Sequence, residues 1–386
     1  MINYQLGKIE KTEKSSTFLL EWQPQPLEQA TTLPAEMYLD PAIYQLEKER
    51  IFGKTWYYVG HLNQLNGAGS YFTVDIAEQP LVILKNKAGE LRAFFNICTH
   101  RGGPLATGSG NCNRLTCLYH AWSFDLDGNL RYAPDMESAH SFDSAAHSLT
   151  SVKVETWGPF IFVNLDPHAQ PLATKLAELP EMFQRYQFTN LARVHTVDYN
   201  TEVNWKVFNE ITVEGYHEPI VHQATLGHFQ DCNGIVGEAK HYYYLQHSPL
   251  DFDYQLNSGF ESGLYIDTLN QYEMEHFQIV CLFPNFTLIM SPNHCATFLI
   301  DPQGIKKTHV RLDLLVPDTE AAKSSKNLES LIQFYADLMQ EDFDFVPTVQ
   351  KRIQSLHYRP GRLSPKREMG VHLYQELVMK HILEKE

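Results

Sequence analysis

The stretch CTHRGGPLATGSGNCNRLTCLYHAW, residues 98–122, contains two short pairs that each combine a cysteine with a histidine. Residues 101–116 separate the two pairs. This mixture of two thiolates and two imidazoles can bind a two-iron, two-sulfide cluster, with both cysteines on one iron and both histidines on the other. We therefore predict a Rieske-type [2Fe-2S] cluster bound by Cys98, His100, Cys117 and His120.

The residues around the pairs are typical of turns. Gly102, Gly103 and Pro104 follow the first pair, and Gly108 and Gly110 precede the second. Glycine and proline supply bends and let backbone N–H groups approach sulfide, so we expect two facing loops rather than a helix. The alternative is a structural zinc site, but such sites usually draw on CxxC knuckles, and neither pair has that spacing.

The composition favours a soluble globular protein of two domains. The chain has 386 residues, 43% hydrophobic and 20% charged, with a net charge of −15. This charge opposes non-specific binding to nucleic acid or to an anionic membrane. The sequence shows neither a long apolar run nor the pattern of a signal peptide, so we predict a cytoplasmic protein.

The remaining cysteines and glycines exclude two further classes of site. Cys112, Cys232, Cys281 and Cys295 show no pairing pattern, so we predict no disulfides. The glycines at 108 and 110 are followed by no third glycine and open no helix, so the dinucleotide fingerprint fails. Reducing equivalents must therefore come from another protein.

The pattern of apolar residues and turns changes twice along the chain. We predict an N-terminal arm and helix over residues 1–45, an all-β domain over 46–167, and an α+β domain over 168–386. In the third segment we expect a helix over 172–186, strands within 277–291 and 310–316, and a long helix over 328–355 interrupted at Pro347.

Residues 204–222, NWKVFNEITVEGYHEPIVH, concentrate histidines and carboxylates and predict a second metal site. On a regular helix His217 and His222 would point about 140° apart, so they could not bind one ion without a break in the helix. Pro219 lies between them and supplies that break.

Two histidines and one carboxylate form the facial triad of ferrous iron sites, which leaves coordination positions open for dioxygen and substrate. The carboxylate must come from elsewhere in the chain. Asp342, in the late predicted helix, is the best candidate. Glu341 and Asp344 are rivals that spacing alone does not exclude.

With these motifs the chain resembles the catalytic α subunits of Rieske non-haem iron oxygenases. The similarity runs nearly end to end through matching segments, which are Trp56 and residues 96–104, 117–128, 157–166, 204–206, 214–222, 341–342, 349–350, 361–364 and 370–372. The resemblance implies an all-β Rieske domain and an α+β helix-grip catalytic domain with a central antiparallel sheet.

The resemblance also implies roles for named residues. By it, Cys98, His100, Cys117 and His120 bind the cluster, and His217, His222 and Asp342 bind mononuclear iron. Glu214 matches the acid that carries electrons from the cluster of one subunit to the iron of the next, which implies a homotrimer. Electrons would reach the cluster from a separate NAD(P)H-dependent reductase containing flavin and iron–sulfur groups.

The position of Glu214 in the sequence predicts a related role. Because it lies three positions before His217, it could hold the free ring nitrogen of that histidine and fix its tautomer. Glu210, one turn further back, is a weaker candidate for the same role.

The chain departs from the family pattern at a few positions. Leu118 and Ala121 replace the usual proline and glycine beside the cluster, and Ile211 replaces a frequent asparagine. We expect these changes to tune packing or potential. Glutamate rather than aspartate at 214 resembles the branch that oxidises choline, glycine betaine and carnitine.

We therefore expect an oxygenase that uses O2 and external electrons to hydroxylate or oxidatively demethylate a small molecule, with a quaternary ammonium compound as the favoured substrate class. One alternative is an aromatic-ring-hydroxylating oxygenase. An alternative from another class is a Rieske electron carrier without a functional mononuclear iron.

Overall fold

The computed structural model describes residues 13–250 and 264–384. The chain divides into two compact units, one formed by Phe52–Ala177 and the other by the segments on either side of it. We call the first the β unit and the second the α+β unit. The earlier division at residues 46 and 167 remains our proposal for the domain boundaries.

The β unit contains short antiparallel strands. The described strands are β1 Tyr57–His61, β2 Ser70–Ile76, β3 Gln79–Lys85, β4 Leu91–Phe95, β5 Ser109–Asn111, β6 Leu115–Thr116, β7 Ser123–Phe124, β8 Leu130–Tyr132, β9 Ser151–Trp157 and β10 Phe160–Asn164. They form one sheet in the order β1-β10-β9-β4-β3-β2-β5 and a smaller sheet in the order β6-β7-β8. This confirms the predicted all-β architecture around the cysteine and histidine pairs.

The α+β unit is built on a second antiparallel sheet. Its described strands are β11 Leu191–Thr201, β12 Val236–Lys240, β13 Tyr243–Pro249, β14 His276–Leu282, β15 Phe286–Ser291, β16 His294–Gly304 and β17 Lys307–Pro317, in the order β11-β17-β16-β15-β14-β13-β12. Every residue of β15 is buried. The core of the unit therefore lies at the middle of this sheet.

Most helices belong to the α+β unit. The described α-helices are α1 Glu13–Glu21, α2 Glu36–Leu39, α3 Pro41–Glu47, α4 Leu172–Leu176, α5 Leu179–Met182, α6 Trp205–Thr212, α7 Glu218–Val221, α8 Leu226–Phe229, α9 Gln271–Glu275, α10 Ser325–Ile353 and α11 Met369–Leu383. A π-helical turn, Lys48–Phe52, follows α3 directly. The long helix α10 contacts both α6 and α7, and α11 also packs on α6. A central antiparallel sheet combined with a long helix confirms the predicted fold class.

None of the described helices combines the length and the apolar character needed to cross a bilayer.

The start of α6 is fixed by buried polar contacts. The side chain of Asn204 accepts the backbone N–H of Lys206 at 2.9 Å and donates to the carbonyl oxygens of Tyr38 at 3.1 Å and Ile305 at 2.8 Å. Glu47 of α3 pairs with Lys206, the second residue of α6, and both are almost fully buried. Because a buried helix start needs partners for its free N–H groups, these contacts set where α6 begins and how it points.

Two helix predictions are corrected by the structure. The helix predicted over 172–186 is divided into α4, α5 and a 3-10 turn, because Ala177 leaves the helical conformation, with φ of 49° and ψ of −122°. The late helix, α10, begins at Ser325 rather than at residue 328 as predicted, and it continues through Pro347 without interruption. Proline removes one backbone hydrogen bond, but nearby Val346 and Gln350 are buried, so tertiary packing keeps the helix continuous.

Candidate metal centres

The two cysteine and histidine pairs lie on two loops of the β unit, one after β4 and one between β6 and β7. Asn96 braces the first loop, since its side-chain oxygen accepts the backbone N–H groups of Leu105 at 2.9 Å and Ala106 at 3.1 Å. The loops join where the N–H of Leu118 donates to the carbonyl of Pro104 at 3.0 Å. The backbone therefore holds the two loop tips face to face, as predicted.

The histidines of the two pairs lie side by side. Their ring centroids are 4.9 Å apart, and the ring of His100 stacks on Trp122 at 4.7 Å with an interplanar angle of 8°. The indole is buried and so fixes the orientation of His100. Sequence reasoning did not assign this role to Trp122, although the residue belongs to the matched CLYHAW segment.

The donor atoms fit an iron–sulfur cluster. Both cysteines are buried, and Nδ1 of His120 is buried with no hydrogen-bond partner among the described residues. A side chain at Gly103 would place its Cβ 2.9 Å from the sulfur of Cys117, so the backbone must pass close to this thiol. Burial raises the pKa of the Cys98 thiol, the backbone amide of His100 opposes that rise, and the neighbouring Cys117 thiol adds to it.

The departure at Ala121 has a structural consequence. Its φ is 59°, in the left-handed region that favours glycine. Its N–H donates to the carbonyl of Cys117 at 3.1 Å, which closes the turn between the cysteine and His120. The chain therefore keeps the turn that a glycine would make and accepts some backbone strain there.

The second set of residues converges in the α+β unit. His217 and His222 flank the single turn of α7, at its N-cap and C-cap positions, and Pro219 lies in its first turn. Proline is tolerated at this position because the N–H it lacks would be unpaired there. The predicted break between the histidines is therefore present, and it turns both imidazoles to one point.

Three side-chain atoms surround that point. The Nε2 atoms of His217 and His222 are 3.2 Å apart, and Oδ1 of Asp342 lies 3.2 Å from Nε2 of His222 and 3.9 Å from Nε2 of His217. One donor atom from each residue lies within 4.8 Å of the other two. Two nitrogen donors and one carboxylate oxygen facing a common centre fit the facial triad of ferrous iron.

Each of the two histidines also contacts a carboxylate of its own through the other ring nitrogen, Nδ1. Oε1 of Glu214 lies 2.6 Å from Nδ1 of His217, and Oε2 of Glu341 lies 2.8 Å from Nδ1 of His222. Carboxylates at Nδ1 hold the proton there, so the Nε2 lone pairs face the ion. The interaction expected for Glu214 is present, whereas the partner of His222 was missed.

The other candidate carboxylates lie away from the central point. Asp344 is exposed and accepts the side-chain amide of Gln340 at 2.7 Å. Glu210 does not contact His217, because its carboxylate accepts the hydroxyl of Tyr38 at 2.8 Å and the amide of Gln375 at 2.9 Å. The expectation for Glu210 was therefore wrong, since α6 turns this side chain toward α2 and α11.

The electrostatic environment favours a cation. Burial alone would lower the pKa of His217, but the hydrogen bond and charge of Glu214 and the charge of Asp342 outweigh it and raise the pKa to about 9. Burial would also lower the pKa of His222. The hydrogen bond and charge of Asp342 outweigh burial and raise that pKa. The carboxylates around the imidazoles therefore stabilise positive charge at the place where the donor atoms meet.

Comparisons with known proteins agree with this geometry. Residues 55–149 match the Rieske [2Fe-2S] domain, and residues 188–384 match the ring hydroxylating alpha subunit (catalytic domain). The chain is 31% identical to the carnitine monooxygenase oxygenase subunit of Escherichia coli (strain K12) over 345 residues, which are 87% of this chain and 88% of that relative. It is 28% identical to the chloroplastic choline monooxygenase of Beta vulgaris, over 91% of this chain and 77% of that relative.

Solved structures show the same architecture. The quaternary ammonium Rieske monooxygenase CntA in complex with L-carnitine matches with a TM-score of 0.80 at 27% identity, over 93% of this chain and 99% of that chain. Naphthalene 1,2-dioxygenase from Rhodococcus sp. shares the fold, with a TM-score of 0.76 at 20% identity over 91% of this chain and 94% of that chain.

Each of the two matched regions contains one of the two sets of donor residues. The cofactors are accordingly a Rieske [2Fe-2S] cluster and a mononuclear iron. The expected enzyme class, an O2-dependent non-haem iron oxygenase, is confirmed. The chain belongs to the family of Rieske non-haem iron oxygenase alpha subunits.

Proposed function

We propose that this Rieske oxygenase oxidises a quaternary ammonium compound of the carnitine, choline or glycine betaine class. Hydroxylation beside the nitrogen or oxidative N-demethylation is the expected outcome. The observation that carries the oxygenase role is the convergence of His217, His222 and Asp342 on one point. This convergence argues against a pure electron carrier, which would need no such site.

The named side chains have distinct tasks in this proposal. When bound, the cluster supplies single electrons and the ferrous iron activates dioxygen. His217, His222 and Asp342 would hold the iron, and a set of three protein ligands would leave coordination positions for substrate and oxygen. Cys98, His100, Cys117 and His120 hold the cluster in the β unit.

The substrate class is supported by the relatives and by one residue. The carnitine and choline monooxygenases named above align with this chain over most of its length. Glu214 contacts His217 as expected from the sequence, and glutamate rather than aspartate at this position resembles that branch. We expect aromatic faces to hold the quaternary ammonium group through cation–π attraction.

We further propose that the protein is a homotrimer in which electrons pass between subunits through Glu214. Apolar side chains beside the cluster histidines are exposed, with 66% for Leu118 and 58% for Tyr119. Tyr216 and Ile220, beside His217, are 55% and 80% exposed. Two different exposed apolar patches on one chain suit a head-to-tail interface, which closes into a ring.

The electron donor in this proposal is a separate reductase with flavin and iron–sulfur groups, because the sequence carries no dinucleotide fingerprint. We also propose a cytoplasmic location. None of the six cysteines forms a disulfide, which suits a reducing compartment.

A single-turnover experiment tests the substrate class without the reductase. The cluster is reduced with dithionite, the reductant is removed, and oxygenated buffer is added with carnitine, γ-butyrobetaine, choline or glycine betaine. We expect mass spectrometry to detect an oxygenated or demethylated product from one of these cations. Product from naphthalene or indole but from none of the cations would favour the aromatic-ring oxygenase instead.

Mixed trimers test the electron path. Subunits with Cys117→Ser lack the cluster, and subunits with Asp342→Asn lack the iron, so neither variant alone should turn over. The two kinds of subunit are co-expressed in one cell with separate affinity tags, and trimers that contain both are purified. These hybrid trimers should regain part of the activity. Inactive hybrids of normal trimeric mass would show that electrons do not cross between subunits.

A further inference from the structure

The helix α10 presents two consecutive carboxylates to the two sides of one imidazole. Oδ1 of Asp342 lies 3.2 Å from Nε2 of His222, while Oε2 of Glu341 lies 2.8 Å from Nδ1 of the same ring. Neighbouring residues on a helix point about 100° apart, which lets one turn reach both ring nitrogens. His222 is 3% exposed, so its ring has little freedom between the two acids.

The loop after His222 folds back to hold Glu341. The hydroxyl of Thr225 donates to Oε2 of Glu341 at 2.6 Å, and the Thr225 side chain is buried. The N–H of Thr225 donates to the carbonyl of His222 at 3.2 Å. One carboxylate oxygen therefore accepts both the imidazole and the hydroxyl, and its position is fixed from two directions.

The two histidines are held differently. Glu214 belongs to the same short segment as His217 and also accepts the backbone N–H groups of Tyr216 and His217. Glu341 reaches His222 from another helix, 119 residues later in the chain. The orientation of His222 thus depends on how α10 packs against α7, whereas that of His217 is set within its own loop.

We propose that Glu341, held by Thr225, is the positioning residue for His222 and sets the affinity of the site for iron. Glu341 occupies no coordination position itself. It keeps the proton on Nδ1, so that Nε2 offers its lone pair to the metal, and its charge makes that nitrogen a better donor. The inference rests on the proposed ligand role of His217, His222 and Asp342.

Iron retention in purified protein tests the proposal. Each variant, loaded with Fe2+ under anaerobic conditions, is challenged with increasing ferrozine, and the mononuclear iron that remains is measured. We expect Glu341→Gln to weaken iron binding about 10- to 100-fold. We expect Thr225→Val to weaken it about threefold to tenfold, because it removes one hydrogen bond to a charged group. Asp344→Asn, which removes an exposed charge from the same helix, is the matched control and should retain iron like the wild type.

A second readout separates positioning from a loss of folding. With the cluster oxidised and EPR-silent, nitric oxide is added to the ferrous site and the rhombicity of the EPR signal is recorded. We expect Glu341→Gln to change the signal shape while Asp344→Asn leaves it unchanged. Wild-type iron retention in Glu341→Gln, or a lowered melting temperature with an unchanged signal, would overturn the proposal. If Asp342→Asn also retained iron like the wild type, the ligand assignment itself would fail, which is a different result.

Discussion

The two metal centres of this protein are assembled in opposite ways. The proposed cluster ligands all lie within residues 98–120, on two loops that backbone hydrogen bonds join directly. The proposed iron ligands come from the ends of α7 and from α10, and the acids that touch His222 lie more than a hundred residues after it. One centre is therefore a local structure, while the other depends on the packing of distant helices.

This difference predicts how each centre responds to change. A local loop site fails when one ligand is removed but tolerates changes elsewhere in the fold. A site shared between packed helices is sensitive to the residues that orient the ligands as well as to the ligands themselves.

The largest effect is expected from Cys117→Ser. Loss of one thiolate releases the cluster, and because cluster binding is coupled to the folding of its loops, the β unit loses stability as well. We expect the EPR signal of the reduced cluster to vanish and turnover to fall to background, while the mononuclear iron is retained. Cys112→Ser is the control, and metal analysis showing an intact cluster in Cys117→Ser would contradict the assignment.

Asp342→Asn should produce the reverse pattern. Removing the only negatively charged ligand weakens iron binding by more than about 100-fold, because the neutral amide binds ferrous iron poorly. We expect turnover to be lost while the cluster spectrum stays that of the wild type. Normal iron content in this variant would mean that another acid supplies the third ligand.

Glu214→Gln separates electron transfer from iron binding. Its amide oxygen can still accept the backbone N–H groups of Tyr216 and His217, which keep the loop of His217 in place, so we expect iron binding to weaken less than in Glu341→Gln. Without the charge at Nδ1 of His217, we expect turnover to fall about 10- to 100-fold. Stopped-flow measurement of cluster reoxidation checks the cause, with Glu214→Asp as the conservative control. Reoxidation at the wild-type rate would exclude the bridging role.

The side chain of Glu210 makes the stability of the folded protein dependent on pH. Burial raises its pKa from 4.5 to about 7, although Gln375 and Tyr38 oppose the rise. Between these values the unfolded chain releases the proton while the folded chain keeps it, so stability falls as pH rises from about 4.5 to 7.

Glu210→Gln should remove this loss. At about 1.4 kcal/mol per pKa unit, we expect a gain of up to about 3 kcal/mol at pH 8 and almost none at pH 4. Urea unfolding at both pH values measures it, with Asp344→Asn as an exposed control. An equal effect at both pH values would show that the carboxyl does not titrate in this range.

The smallest effect is expected at Ala121. Glycine adopts the left-handed conformation of this turn without strain, which favours the folded state, but glycine also gains more freedom on unfolding. We expect Ala121→Gly to stabilise the protein by less than about 1 kcal/mol, measured by thermal unfolding, and to leave the cluster spectrum unchanged. A clear loss of stability would mean that the methyl group packs usefully beside the cluster.

The two facing loops of the proposed cluster centre could be predicted from the sequence alone. The spacing of Cys98, His100, Cys117 and His120, with glycine and proline between them, is a local pattern, and local turns depend mainly on the residues within them. The same holds for the break at Pro219, which the sequence alone placed between His217 and His222.

Only the tertiary structure decided which acid joins the histidines. Glu341, Asp342 and Asp344 lie within one turn of α10, and their order along the chain does not say which of them faces α7. The packing of α10 turns Asp342 to the centre, Glu341 to the far side of His222, and Asp344 to solvent. Packing likewise directed Glu210 away from His217 and kept α10 intact through Pro347, because contacts between distant elements outweigh the local preference of a single residue.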